Sequence, residues 1–281
     1  MGKSVNSRSQ DQTAAAADTG AAASAPGPVD KAMEVLSALS GTGAPHRLAD
    51  LARRTGLAKP TVHRLLRALA AAGYAAPAAG GSYRPGPRLL GLAAGALADD
   101  AALRAAGPVL DELRVRTGLF ASYAVRDDRT VIHLDVRAPV QALGLDLRPG
   151  AREGVTAGAA GYALLAGLSP EERDDLLRPE PSAETDGDGG EALRTALSEA
   201  ARDGYAFDGA DAWRDRRALA AVVRDATGDT VGALVLTGLA FTLDDAAAQL
   251  YGPMVRSAAS AVSAGLAAQS GPRLGVIGGE R

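Results

Sequence analysis

Apolar positions recur along this chain at two spacings, and the spacing changes near residue 118. From about residue 30 they return every three or four residues, as on one face of an α-helix. From residue 120 they alternate or run in short blocks, as in strands. Met33, Leu36 and Leu39 mark a first helix with Asp30 as its N-cap. Leu48, Leu51 and Ala52 mark a second, stopped by Gly56, where a positive φ is most easily supplied. Pro60 is tolerated at the first position of a third helix, because its missing N–H has no partner there. Val62, Leu65, Leu66, Leu69 and Ala70 give that helix one apolar face. Two short extended pieces then flank Gly80-Gly81, a turn pair suited to a hairpin. A small-residue helix from Arg88 to about Ala98 reads as a linker. Another helix, at about 101–117, turns Leu103, Val109, Leu110 and Leu113 inward and stops at Gly118.

In the second half, 120–125, 130–136 and 142–147 read as strands of an antiparallel meander. Helices return at about 157–166 and 170–177, the latter capped by Ser169 with Glu171 and Glu172 in its first turn. A polar loop at 179–190 precedes a helix at about 191–203 and strands at about 205–208, 217–224 and 230–238. The last helix, about 242–267, takes Thr242 as N-cap and aligns Leu243, Ala247, Leu250, Met254, Val262 and Leu266. The fold class is therefore α+β, helices packing on one sheet. Residues 1–28 mix Ser, Gln, Ala, Gly and Pro without periodicity and read as a disordered tail; 269–281 reads as a flexible end. The expected division is tail 1–28, a helical and hairpin module 29–88, linker helix 89–100, a second domain 101–268 and a flexible end 269–281.

Charge sharpens this division. Residues 29–88 hold nine Lys/Arg against three acids, net +6, whereas 89–281 hold 19 against 28, net −9. A basic block beside an acidic one is expected if only the first meets phosphate. Hydrophobic residues make up 47% of the 281, ample for a core. The chain has no cysteine, which removes disulfides, thiol nucleophiles and cysteine metal sites. No continuous apolar run resembles a signal peptide or a membrane span, so the expected location is cytoplasmic, with no membrane partner.

The third helix carries the chemistry. Lys59, Thr61, His63, Arg64 and Arg67 fall largely off its apolar face, and a helix that buries one side and offers Thr, His and Arg on the other suits major-groove readout. An ordinary amphipathic pair with solvated arginines satisfies the same pattern. The hairpin would be a wing presenting Ser82 and Arg84 to the phosphate backbone or the minor groove. Catalysis lacks equipment: His46, His63 and His133 lie far apart with no metal-ligand spacing, and the glycine runs lack a strand–loop–helix context. No enzyme, metal or cofactor is expected.

Taken together, ADLARRTGLAKPTVHRLLRALAAAGY, GGSYRPGPRLLGLAAGAL, VTAGAAGYALLAGLSPEE, ARDGYAFD and VVRDATGDTVGALVLTG resemble, in this order, motifs of the IclR family of bacterial transcription regulators, across roughly residues 29–268. The resemblance implies a winged helix-turn-helix, a linker helix and a C-terminal GAF/PAS-like effector-binding domain with a mixed antiparallel sheet. It also implies dimers through the DNA-binding region and often tetramers. Carried over, Lys59, Thr61, His63 and Arg64 sit at recognition-helix positions, with Arg67 and Arg84 added on charge and placement. Gly161, Asp208 and Thr237 sit at effector-pocket positions. Where many members have a pocket cysteine this chain reads Asp215-Arg216-Arg217-Ala218, and Val235 replaces a common hydroxyl. The pocket is thus expected to be more apolar. The implied function is a DNA-binding regulator, a repressor in preference to an activator, released from an inverted-repeat operator by a small molecule. A ligand-independent regulator with a degenerate pocket is the alternative.

Overall fold

The structure, a computed structural model, describes residues 27–41, 43–142, 144–178, 189–209 and 215–269. The polar loop expected at 179–190 falls mostly outside these residues, as do the tail expected at 1–28 and the end expected at 269–281.

Three helices, α1 (Pro28–Leu39), α2 (Leu48–Thr55) and α3 (Lys59–Ala71), close on a core of Val35, Leu39, Leu51, Ala52, Val62, Leu66 and Leu69. The i, i+3, i+4 spacing of these residues is what lets three short helices bury one stripe each. Gly56 ends α2 at φ 66°. The first N-cap is Gly27, not Asp30; Asp30 lies one turn inside, where its carboxylate accepts the Gly27 N–H at 2.7 Å. A three-stranded antiparallel sheet in the order β1 (His46–Arg47), β3 (Ser82–Pro85), β2 (Ala75–Ala78) completes the unit. Gly80 and Gly81, both at φ 69°, turn the β2–β3 hairpin.

The linker α4 (Pro87–Asp99) leads to α5 (Ala101–Thr117) through a corner at Asp100, whose side chain accepts the Leu103 N–H at 2.7 Å. The second unit is one six-stranded sheet in the order β6-β5-β4-β9-β8-β7, every pairing antiparallel. Its strands are β4 (Phe120–Asp127), β5 (Thr130–Arg137), β6 (Arg152–Gly154), β7 (Ala206–Phe207), β8 (Arg216–Arg224) and β9 (Thr230–Leu239). α5 and α9 (Asp245–Gln269) pack on one face over Leu219, Tyr123, Leu234 and Leu236. α6 (Ala159–Ala166) and α8 (Gly189–Asp203) cover the opposite face over Ala124, Ala220, Ala233 and Val235. The two-residue side-chain period of β4, β8 and β9 assigns alternate residues to these two layers. α7 (Pro170–Leu177) follows α6 and is capped by Ser169, whose hydroxyl accepts the Glu172 N–H.

Three local expectations are corrected. The described residues of 142–147 form no strand: Leu145 N–H donates to the Ala142 carbonyl, and Gly144 and Gly150 adopt φ 85°, so the chain turns. The edge position beside β5 goes to β6, after that turn. Thr242 is not the α9 cap; its hydroxyl donates to Leu239, and the Asp244 carboxylate accepts the Ala247 N–H at 2.8 Å. Leu250 is 66% exposed, and the inward row of α9 is Ala248, Gly252, Val255, Ala259, Val262 and Leu266. Helices cover both faces of the sheet.

Candidate nucleic-acid interface and effector site

α3 is anchored by Val62 and Leu66, both fully buried, which fixes what its other face can present. Lys59, His63, Arg64 and Arg67 are exposed and Thr61 is half-buried at the edge. Lys59, Arg64 and Arg67 make no ion pair with any described residue, so their charge is available to an outside anion. Arg84 is likewise exposed on β3. Ser82, expected beside it, is buried, and its hydroxyl donates to the Ala79 carbonyl at 2.6 Å, a bond that shapes the hairpin. Among nearby cations, Arg53 is paired with Asp50. Arg88 lies over the Tyr74 ring at 5.4 Å. The geometry is a helix with a continuous basic, hydrogen-bonding face beside a hairpin that carries one further arginine.

The end of α3 is tied to the start of α4. The Gly86 N–H donates to the Tyr74 carbonyl at 2.8 Å and the Arg88 N–H to the Gly73 carbonyl at 3.1 Å. A Cβ on Gly86 would lie 2.2 Å from the Gly73 carbonyl oxygen, so only glycine permits this crossing.

In the second unit the polar residues converge where β5, β6 and β8 meet the N-terminus of α6. The Ser122 hydroxyl and His133 Nδ1 are hydrogen-bonded at 2.9 Å. His133 Nε2 lies 3.6 Å from the Glu153 carboxylate, which accepts from the Arg216 guanidinium at 2.7 Å. Asp208 accepts the Ala218 N–H at 2.5 Å and, with its other oxygen, the Ala159 N–H at 3.4 Å. Burial pushes the Asp208 carboxyl above the usual carboxylate range, and the two N–H donors and Arg216 only partly offset it. For Glu153 burial acts the same way, but the His133 hydrogen bond and the Arg216 charge outweigh it, and its carboxyl sits below the usual range.

Of the sequence-predicted residues, Asp208 lies in this cluster. Thr237 is buried on the same sheet face, in register with Ala218. Gly161 is packed within α6 instead: a Cβ there would lie 1.9 Å from the Val155 carbonyl oxygen, so it sets how closely α6 approaches residue 155. Ser122, His133, Glu153 and Arg216 join Asp208 here and were not among the residues expected from the sequence. A serine within the otherwise apolar run 120–125 and a histidine at an inward strand position were the available signals.

Three buried-face helices with a basic third helix and wing, followed by a separate antiparallel-sheet unit with an internal polar cluster, define a winged-helix regulator with a ligand-binding domain. Two family descriptions match: the IclR helix-turn-helix domain over residues 28–77 and the bacterial transcriptional regulator IclR C-terminal domain over residues 95–264. The chain belongs to the IclR family of DNA-binding transcriptional regulators. It is 27% identical to the HTH-type transcriptional regulator XynR of Escherichia coli, over 85% of this chain and 96% of that one. It is 40% identical to the DNA-binding transcriptional repressor YiaJ of Escherichia coli over 83 residues, 29% of each chain. A crystal structure of an IclR homolog from Microbacterium hydrocarbonoxydans, complexed with 4-hydroxybenzoate, is 25% identical with a TM-score of 0.69, covering 86% of this chain and 100% of that one. No helix among the described residues is long and apolar enough to cross a membrane.

Proposed function

We propose that this chain is a repressor that binds an inverted-repeat operator as a dimer and is released by a small molecule held at the Asp208 cluster. The observation that carries the DNA side is the solvent face of α3: its cations stand unpaired among the described residues while the opposite face is locked into the helical core. In this reading Thr61, His63 and Arg64 meet base edges, and Lys59, Arg67 and Arg84 neutralise phosphates. Two copies related by a twofold axis set their α3 helices about 34 Å apart, one helical turn of DNA. The exposed Leu90 and Leu92 support self-association, because α4 buries no residue within one chain. The repressor direction rests on the name of YiaJ, and the ligand on the complex formed by the Microbacterium homolog. Regulation requires the ligand to favour one dimer geometry; equal affinity for both would change nothing. Acting on chromosomal DNA, the protein works in the cytoplasm.

Arg64→Ala tests the reading in a gel shift with the DNA upstream of its own gene. Specific retention should be lost while circular dichroism and oligomeric state stay those of the wild type. Undiminished retention would remove α3 from the interface.

A further inference from the structure

Strand β5 serves both layers of the C-terminal domain, and a single extra residue makes this possible. Ala124 of β4 lies opposite His133, but the next residue back, Tyr123, lies opposite Asp135. Leu134 therefore has no partner on β4 and forms a β-bulge. Along an unbroken strand, side chains two apart share a face, so His133, Asp135 and Arg137 would all point the same way. The one-residue slip turns the last two over. His133 keeps the face of Ala124 and meets Ser122 and Glu153 in the layer of α6. Arg137 lies opposite Ala121 and takes the face of Tyr123, in the layer of α5 and α9.

On that face Arg137 reaches α5. Its Nε lies 3.2 Å from the Asp111 carboxylate, while Asp135 holds the same guanidinium from its own strand. A Cβ on Gly107, one turn before Asp111, would lie 3.6 Å from Arg137 Nη2. α5 passes through the corner at Asp100 into α4, and the start of α4 is bonded to the carbonyls that end α3. The contacts from the polar cluster to α3 are thus continuous. Arg216, Glu153 and His133 form the first part, the bulged strand the second, and Arg137 with Asp111 the third.

We propose that Arg137 and Asp111 are positioning residues for operator binding. They set α5, and through α4 the third helix, according to the state of the polar cluster, and the bulge at Leu134 is where β5 passes that state between layers. This rests on the reading that the cluster is the control site of the domain. The pair is half in solvent, Asp111 being 53% exposed, and such ion pairs contribute little to stability. A purely structural role is therefore a weak account of it.

A double-mutant cycle on the full-length protein tests the proposal. The readout is the dissociation constant for the DNA upstream of its own gene, by fluorescence anisotropy at neutral pH. Glu153→Gln should change that constant by about threefold or more, although it lies in a different unit from α3. In an Arg137→Gln background the same substitution should change it by less than about 1.5-fold. Arg137→Gln itself should melt within about 3 °C of the wild type. Arg216→Gln breaks the Glu153 pair from its other side and repeats the cycle should Glu153→Gln fail to fold; Asp111→Asn stands in for Arg137→Gln in the same way. A Glu153→Gln effect of equal size with and without Arg137 would overturn the route and leave the control site standing. No effect in either background would remove the cluster as the control site and take the proposal with it.

Discussion

The Glu153 carboxylate gains more from His133 and Arg216 than burial costs it, so it stays ionised into more acid solution than a free glutamate. A carboxyl whose folded value lies below its unfolded value, about 4.3, contributes stability that is complete above that value and is lost as pH falls through the folded one. Glu153→Gln should therefore lower stability at pH 7 by about 1–3 kcal/mol. For a chain of this size that is a fall in melting temperature of about 2–4 °C per kcal/mol. The difference from wild type should close as the pH drops below about 4, and an undiminished difference at pH 3 would show that the ion pair is not its source. The members of this cluster come from residues 122, 133, 153 and 216, on four different strands. Only the order β6-β5-β4-β9-β8 brings them together, and no local pattern encodes that order. The motif containing Asp208 pointed to this region of the fold; Ser122, whose neighbours are apolar, was hidden by the same rule that found the strand.

At the scale of elements, legibility follows side-chain size. α3 was read correctly because its contacts are made by Val62, Leu66 and Leu69, large residues at helical spacing. α9 was misread because it packs through small ones. Ala248, Gly252 and Ala259 let it approach the sheet and Tyr205, a Cβ on Gly252 lying 2.3 Å from the Tyr205 ring, and so Leu250 is left outside. The α3–α4 junction depends on a small residue in the same way. Rotation of α4 must carry α3 with it, since Gly86 and Arg88 donate directly to carbonyls at the end of α3. Gly86→Ala forces apart backbone that no side-chain rotamer can relieve, at about 1–3 kcal/mol. The variant should lose operator retention and melt earlier in the N-terminal unit. Its affinity for a ligand at the Asp208 cluster should stay within twofold of wild type. Operator binding unaltered in Gly86→Ala would mean that the junction does not set the position of α3.

Across the whole molecule the charge is divided so that attraction and repulsion act on different parts of one chain. The block at 29–88 carries net +6 and the rest net −9 beyond the neutral first 28 residues. Total charge, −3, would predict no affinity for nucleic acid, and the division is what makes binding both local and oriented. In the proposed complex Lys59, Arg67 and Arg84 of each protomer are the cations set to face phosphates, and the net −9 of the rest of the chain opposes its approach to the duplex. Each neutralised phosphate releases counterion, so log K falls with log salt by about 0.9 per phosphate contact. A dimer using these three cations from each protomer makes about six contacts, and the slope should be about −5. Retention of an inverted-repeat operator, measured by fluorescence anisotropy between 50 and 300 mM salt, gives that slope directly. Arg84→Ala removes one contact per protomer and should bring it to about −3.6 while leaving the preference for operator over scrambled DNA intact. Arg64→Ala should do the reverse in kind, because a bidentate contact to guanine is worth about 1–3 kcal/mol of discrimination. A slope unchanged by Arg84→Ala would take the wing off the phosphate backbone, and with it the reason for a cation at the end of a hairpin whose serine is turned inward.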